Sequence, residues 1–452
     1  MAHFRFNLNA LAQDVTEGNV HEKRKKIGNL LIYSCFFTYM MSMSVKGIIA
    51  AEMGFLKEMW SLTYTQTSMS NAFYFCIYGL VQIGLFIFMK KINIRKYLIV
   101  TVPISAICAI LMGISNNIVQ MWAFYGLMGA FQAGLFSGCN STLTSCLPSS
   151  LLSKGNRFMN LGYASGTVLA YALCGLCVSN GGWRIPYYVF GALFFISFII
   201  FIVISGLAWK IKHINDIFHK KDADNTTVKV KDDDDDPIVT LETKKKKVLF
   251  YVIVLSCTFV ITALYYCVMN NVTLLLKDVY GLPDDISIYV SVLAPVTIAI
   301  GPMMTISACN KDKNFIRQAV KFMLIVLPIP LLLMFFYKTS VFIALPLTIL
   351  YVILTNGVKA IAISIITFKM RKQFNVSAYS AISNAVASIA AGIMPVIVGS
   401  LIDFAGWQLS YLVTFVVAIV LTVILVIVNA VVTKSNKIKH TKIINKTVKA
   451  DK

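Results

Sequence analysis

The chain has 452 residues, 58% of them hydrophobic and only 13% charged, with a formal net charge of +21. A soluble protein of this size needs about a quarter of its residues charged to cover its surface, so a soluble enzyme or binding domain is excluded. Nucleic acid is not the expected partner either, because the basic residues are spread over short loops instead of gathered in one patch.

Residues 1–26 are polar, end on His21-Glu22-Lys23-Arg24-Lys25-Lys26 and hold no apolar stretch of their own. The first apolar segment is therefore expected to act as the targeting signal. Crossing hydrocarbon takes about 20 apolar residues as a helix. Continuous runs of that kind predict helices over 27–52, 66–89, 97–115, 119–146, 158–180 and 184–208, here called segments 1 to 6. Residues 209–247 interrupt the pattern with Asp232-Asp233-Asp234-Asp235-Asp236 and Lys244-Lys245-Lys246-Lys247. Such opposed charge blocks stay solvated, which makes this stretch a loop. Segments 7 to 12 follow at 248–276, 286–308, 318–337, 341–367, 378–402 and 407–433. The runs are continuous and not alternating, so helices are expected and a barrel is not.

The loops set an orientation. Of 41 Lys and Arg, 35 fall in the N-terminal tail, the loops after even-numbered segments and the C-terminal tail. Lys57, Arg184, Lys277 and Lys338 lie on the other side, and Lys46 and Lys359 lie inside segments. The positive-inside rule then puts both termini in the cytoplasm and favours an even count, twelve. An internal repeat agrees with two halves. Leu56-Lys57-Glu58-Met59-Trp60-Ser61-Leu62 matches Leu276-Lys277-Asp278-Val279-Tyr280-Gly281-Leu282, and Gly182-Trp183-Arg184 matches Gly406-Trp407-Gln408. The expected organisation is a cytoplasmic tail (1–26), a six-helix bundle (27–208), a cytoplasmic central loop (209–247), a second bundle (248–433) and a cytoplasmic tail (434–452). Two halves around a midplane site suit alternating access.

A charge near the bilayer centre costs at least about 2.5 kcal/mol, so it rarely persists without use. Lys359 precedes Lys369 by ten residues, about 15 Å of helix, which places it at mid-membrane. Lys46 lies six residues before Glu52, about 9 Å from the predicted outer end and within reach of a snorkelling stem. Tyr39, Ser42 and Lys46 fall at i, i+3 and i+7, one polar stripe. Thr262, Tyr266 and Asn270 share a face of segment 7; Gln132, Asn140 and Ser141 stand in segment 4, and Asn356 one turn from Lys359. Such hydroxyls and amides serve ligands or hold helices together. The acids are informative by position: Glu52 and Asp403 are expected at the outer edge and none deep in a segment. All five histidines fall in tails or the central loop. A proton-coupled pump needs a buried group that changes charge. Two buried lysines predict instead a positive cavity complementary to an anion. The ten cysteines lie in or beside apolar segments, and Cys174-x-x-Cys177 has no second pair, so packing is expected and a metal site is not.

Over nearly its full length the chain resembles the major facilitator superfamily. The resemblance rests on the basic loop Lys90-Lys91-Ile92-Asn93-Ile94-Arg95-Lys96 between segments 2 and 3, on its second copy Asn310-Lys311-Asp312-Lys313, on Gly162, Gly166 and Gly175 in segment 5, and on the Gly-Trp starts of segments 6 and 12. It implies an all-α membrane protein of twelve transmembrane helices in two pseudo-symmetric bundles, with segments 1, 4, 7 and 10 lining a cavity. It also implies a latch at the cytoplasmic face formed by Lys90, Lys91, Arg95 and Asp312, although Lys90 replaces the family's first acid. Lys46 falls near a basic position of the organophosphate/organic-anion antiporter branch, whereas segment 7 offers Leu264-Tyr265-Tyr266 in place of a second base. The resulting expectation is a transporter, not an enzyme, for a small phosphorylated or carboxylated anion. It would act as a monomer in a bacterial cytoplasmic membrane, without cofactor or metal. A multidrug/proton antiporter and a non-transporting membrane sensor are the alternatives.

Overall fold

The computed structural model describes residues 20–88, 94–219, 244–311, 314–366 and 376–450, with no strand among them. Segment 1 is Val20–Met59, segment 2 Tyr64–Phe88 and segment 3 Ile94–Ile114. Segment 4 is broken into Ile118–Gln132 and Leu135–Cys146, with Gly134 at the break packed against the Tyr97 ring. Segments 5 and 6 are Ser149–Val178 and Ile185–His219. Segment 7 is Lys244–Met269 followed by Val272–Tyr280, and segment 8 is Asp284–Ser291 followed by Leu293–Lys311. Segment 9 divides at Pro328, whose ring cannot donate into the preceding turn, giving Phe315–Val326 and Pro328–Phe336. Segment 10 is Val341–Ala360 and runs on into a π-helical turn, Ile361–Ile365.

The final helix, Val376–Ala450, contains one non-helical residue, Gly406 at φ 78° and ψ −177°. That conformation is open to glycine and strained for other residues. Among the described residues ten helices are long and apolar enough to cross a membrane, and the last of them covers 52 residues. At 1.5 Å per residue that is about 78 Å, far more than the ~30 Å of one hydrocarbon core. Dividing this run at Gly406 and counting the two pieces of segment 4 as one crossing gives twelve; length and composition alone give ten.

Segment 1 differs from expectation in a way that matters. It continues seven residues past Glu52, because Met53-Gly54-Phe55-Leu56 extends the apolar run. Glu52 is thereby two turns inside the helix and fully buried, not at an edge.

Segment 1 packs on 5 and 6, segment 2 on 4, and segment 3 on 4 and 6; segment 8 packs on 10, and 7 on 10 and the final helix. Contacts across the middle join segment 2 to segment 11, 5 to 8, and 1 to 7. Segments 2 and 11 meet at Gly79 against the Ala385 carbonyl, Gly392 against Cys76 and Gly399 against the Tyr64 carbonyl. Small residues let backbones approach closely where lipid supplies no hydrophobic drive. Gly166 of segment 5 has the Met40 carbonyl of segment 1 directly over it, whereas Gly84 has nothing within 4 Å. Overpacking such a contact costs about 1–3 kcal/mol. Gly166→Ala is therefore expected to lower the unfolding temperature of the detergent-solubilised protein, while Gly84→Ala leaves it unchanged or raises it.

The turns at 60–63, 179–184, 281–283 and 337–340, with Gly406, share the face opposite the described chain ends, here called the distal face. The internal repeat is visible in its backbone. Ser61 and Gly281 hold equivalent repeat positions and both take left-handed φ, 48° and 64°. Each ends its helix as a left-handed cap does.

Candidate functional site

Where the two groups of helices meet, a small cavity opens beside Lys46. It is aromatic and polar at once. Segment 1 contributes Met43, Lys46, Gly47 and Ala50; segment 2 Asn71 and Phe75; segment 4 Tyr125; segment 5 Tyr163, Thr167 and Tyr171; segment 7 Tyr265, Tyr266, Met269 and Asn270; and segment 8 Ile298. Four-residue spacing puts Tyr163, Thr167 and Tyr171 on one face of segment 5, as it does Tyr266 and Asn270 on segment 7. The Tyr125 hydroxyl donates to the Lys46 carbonyl at 3.1 Å, tying segment 4 to segment 1 at the cavity wall. Asn71 and Asn270 are 3% and 7% exposed, and the amide nitrogen of each has no hydrogen-bond partner. Buried donors of this kind are rare in folded proteins and call for an explanation.

The two lysines decide the electrostatics. Lys46 Nζ lies 4.5 Å from the Phe75 ring centroid, 5.3 Å from Tyr163 and 5.6 Å from Tyr74. Lys359 Nζ reaches from segment 10 to within 3.9 Å of the Tyr265 centroid and 5.4 Å of Tyr266. Phe75 and Tyr266 themselves meet edge to face at 5.3 Å, so the ring systems under the two lysines are continuous. Among the described residues neither ammonium has an ion pair or a hydrogen bond. A cation over a ring is stabilised by about 0.5–2 kcal/mol. A hydrogen bond to a charged group contributes about 1.5–3 kcal/mol. An anion entering the cavity therefore displaces the rings as the partner of each lysine. Segment 10 turns π-helical two residues after Lys359, a deviation that recurs at functional sites.

On the distal face the repeat joins segments 1 and 7 with crossed ion pairs. Lys57 of segment 1 meets Asp278 of segment 7 at 3.3 Å, and Lys277 of segment 7 meets Glu58 of segment 1 at 2.7 Å. Lys277 also holds Asp284 at 2.5 Å and donates to the Gly54 carbonyl at 3.4 Å. Beside this clasp Asp403 accepts hydrogen bonds from the backbone N–H groups of Tyr64 (2.9 Å) and Thr65 (2.8 Å) and from the Thr65 hydroxyl (2.6 Å). It caps the start of segment 2, where a carboxylate also suits the helix dipole.

The family model of the Major Facilitator Superfamily matches residues 32–383. The chain belongs to this superfamily. Solved structures agree on the fold. A bacterial homologue of the human lysosomal transporter Spinster, in an inward-facing and occupied conformation, superposes with a TM-score of 0.63 at 14% identity, covering 90% of this chain and 96% of that one. Its inward-facing and unoccupied form gives 0.64 at 14%, covering 91% and 97%. A point mutant of the nucleoside transporter NupG gives 0.59 at 11%, covering 88% and 99%. A comparison with curated protein sequences gives no match.

Within this superfamily fold the residues singled out by sequence separate into two groups. Lys46, Tyr266 and Asn270 line the cavity, and Lys359 lies over the Tyr265 and Tyr266 rings of its wall, so segment 10 stands outside the lining itself. The others stand behind the wall. Tyr39 packs on the Phe136 ring at 5.3 Å. Ser42 is fully buried with an unpartnered hydroxyl. Gln132 accepts from the Tyr74 hydroxyl at 2.6 Å, and Asn356 donates to the Ile298 carbonyl at 3.0 Å. Asn140 sits in the second piece of segment 4, with its carboxamide oxygen unpartnered. Of the latch residues, Lys90, Lys91 and Asp312 lie outside the described residues, and the Arg95 guanidinium rests against Gly206 of segment 6. Segments 2, 5 and 8 enter the lining although segments 1, 4, 7 and 10 were expected there. The spacing of Tyr163, Thr167 and Tyr171 was the available signal for segment 5. Glu52 is the acid whose position the sequence misplaced: 0% exposed, it adjoins Cys174 and Cys177 of segment 5 and the Tyr187 hydroxyl of segment 6.

Proposed function

We propose that this superfamily member carries a small organic anion across a bacterial cytoplasmic membrane by alternating access, as a monomer with both termini inside. The halves 27–208 and 248–433 would rock about the cavity, and the distal clasp would be the outer gate. One observation carries the reading: two ammonium groups, one from segment 1 and one from segment 10, meet one continuous ring system, and among the described residues no acid or carbonyl is bonded to either. Such a site has positive potential that only an incoming anion satisfies. Lys46 and Lys359 neutralise the substrate, while Asn270 and Tyr266 orient it.

The test has two steps. A thermal-shift screen of the purified protein against sugar phosphates, monocarboxylates and dicarboxylates selects a stabilising anion. Counterflow of that labelled anion in proteoliposomes then compares Lys359→Ala with Lys359→Arg. Ala is expected to lower the initial rate about tenfold or more, the loss of one charged hydrogen bond, and Arg to keep part of it. Equal rates in Ala and wild type would remove the anion assignment. Buried Glu52 favours a second reading, proton-coupled export of a drug-like cation. A transport rate that collapses with a protonophore and survives Lys359→Ala would select it.

A further inference from the structure

The cavity presents more than charge. The Lys46 ammonium lines it, the Lys359 ammonium lies over the Tyr265 and Tyr266 rings of its wall, and Asn71 and Asn270 bring buried amide nitrogens that have no hydrogen-bond partner. One lysine and one asparagine come from segments 1 and 2, and the other pair from segments 10 and 7. Between them stand ring faces, chiefly Phe75, Tyr163, Tyr265 and Tyr266, and these are the surfaces on which the ammoniums rest. When an anion takes a lysine, the ammonium moves from ring to anion and leaves the ring face bare. Tyr265 and Tyr266 are held edge to face at 4.9 Å and 85°, and Phe75 is set against Tyr266 at 60°, so the rings cannot close on one another face to face without rearranging. A flexible aliphatic acid fills the charge and leaves those faces to water. A flat ring attached to the anion covers them, because ring pairs gain beyond their buried area.

Resting on the anion reading above, we propose that the substrate is a carboxylate borne on a flat aromatic or heteroaromatic ring with at least one further hydrogen-bond acceptor. Its carboxylate sits between Lys46 and Lys359, its ring on Tyr265 and Tyr266, and its remaining acceptor against the Asn71 or Asn270 amide. Tyr265 and Tyr266 are then specificity-determining residues.

The experiment measures dissociation constants from ligand-dependent unfolding temperatures of the purified full-length protein. The probes are benzoate, cyclohexanecarboxylate, nicotinate, succinate, benzamide and benzylamine. Benzoate and cyclohexanecarboxylate share charge and carbon count and differ in flatness and π-face, so their ratio in the wild-type protein reads the ring alone. Benzoate is expected to bind about three- to tenfold tighter, the range for a ring–ring pair. Nicotinate, with its added ring acceptor, is expected to bind tighter than benzoate, and Asn270→Leu to remove that gain. Tyr265→Leu and Tyr266→Leu are expected to bring the benzoate ratio towards one.

Equal binding of benzoate and cyclohexanecarboxylate, or a response to succinate alone, would overturn the ring inference and leave the anion reading standing. Benzamide or benzylamine binding tighter than benzoate would overturn both. If no carboxylate shifts the unfolding temperature, the ring inference falls, and the anion reading is judged by the Lys359 comparison.

Discussion

Lys277→Ala is expected to open the distal face. Lys277 is 8% exposed and serves three partners: Glu58 across the seam, Asp284 within its own half, and the Gly54 carbonyl of segment 1. Removing one partner of a buried ion pair costs about 3–5 kcal/mol. The side chain of Glu58 is 62% exposed, so solvent screens part of that figure. A loss of about 2 kcal/mol remains, a roughly 30-fold shift away from the closed distal face. A single cysteine at Ala50, which lines the cavity one turn from Lys46, reports the change in a protein whose native cysteines have been replaced. Its labelling by a membrane-impermeant maleimide added from the distal side should accelerate at least tenfold in Lys277→Ala. Lys57→Ala should act less, because that pair is longer at 3.3 Å and, among the described residues, Lys57 makes one ion pair where Lys277 makes two. Lys277→Arg, which keeps charge and reach, should stay near wild type. Unchanged labelling in Lys277→Ala would mean that helix packing, not the clasp, holds this face shut. The clasp also explains why the repeat carries a lysine followed by an acid in both copies: each lysine answers the other copy's acid, so one motif used twice yields a symmetric seam.

What could be read before the structure was whatever depends on neighbours in the chain. Apolar runs of about 20 residues, the sidedness of Lys and Arg, and two lysines within such runs are local signals, and the helices and the two lysines inside them follow from these. The repeat was visible as a repeat, but its pairings join residues some 220 positions apart, and no periodicity reports which lysine crosses to which acid. The lining of the cavity was harder still. Gln132 and Asn140 look like neighbours on one helix, yet segment 4 breaks at Ala133-Gly134, so the two stand on separate pieces. Segment 5 approaches through Gly166, and that close contact with segment 1 brings Tyr163 and Tyr171 to the site. A face is chosen by the neighbour it meets, and that neighbour lies more than a hundred residues away.

Glu52→Leu is expected to make the protein more stable and less active. The carboxyl is fully buried inside the helix 1–5–6 contact, where its polar neighbours are the Tyr187 hydroxyl and the Cys174 thiol, both weak partners for an acid. Leaving a buried carboxyl short of strong partners costs about 1–3 kcal/mol. Leucine has nearly the same volume and no polar atoms, so the variant should unfold at a higher temperature in detergent. Glu52→Gln keeps a buried polar group and should show little gain. That contrast separates polarity from shape. A drop in unfolding temperature with leucine would show that the carboxyl is bonded in the protein as purified, and the cost argued here would vanish. An ionisable residue held inside a membrane helix at such expense is a functional group by default. Proton coupling needs such a group, and the extension of segment 1 to Met59 buries one that the sequence places at the outer edge. Counterflow needs only exchange, whereas net uptake needs every step of the cycle. Glu52→Leu should therefore slow net uptake more than counterflow, and equal losses in the two assays would assign Glu52 to substrate exchange itself.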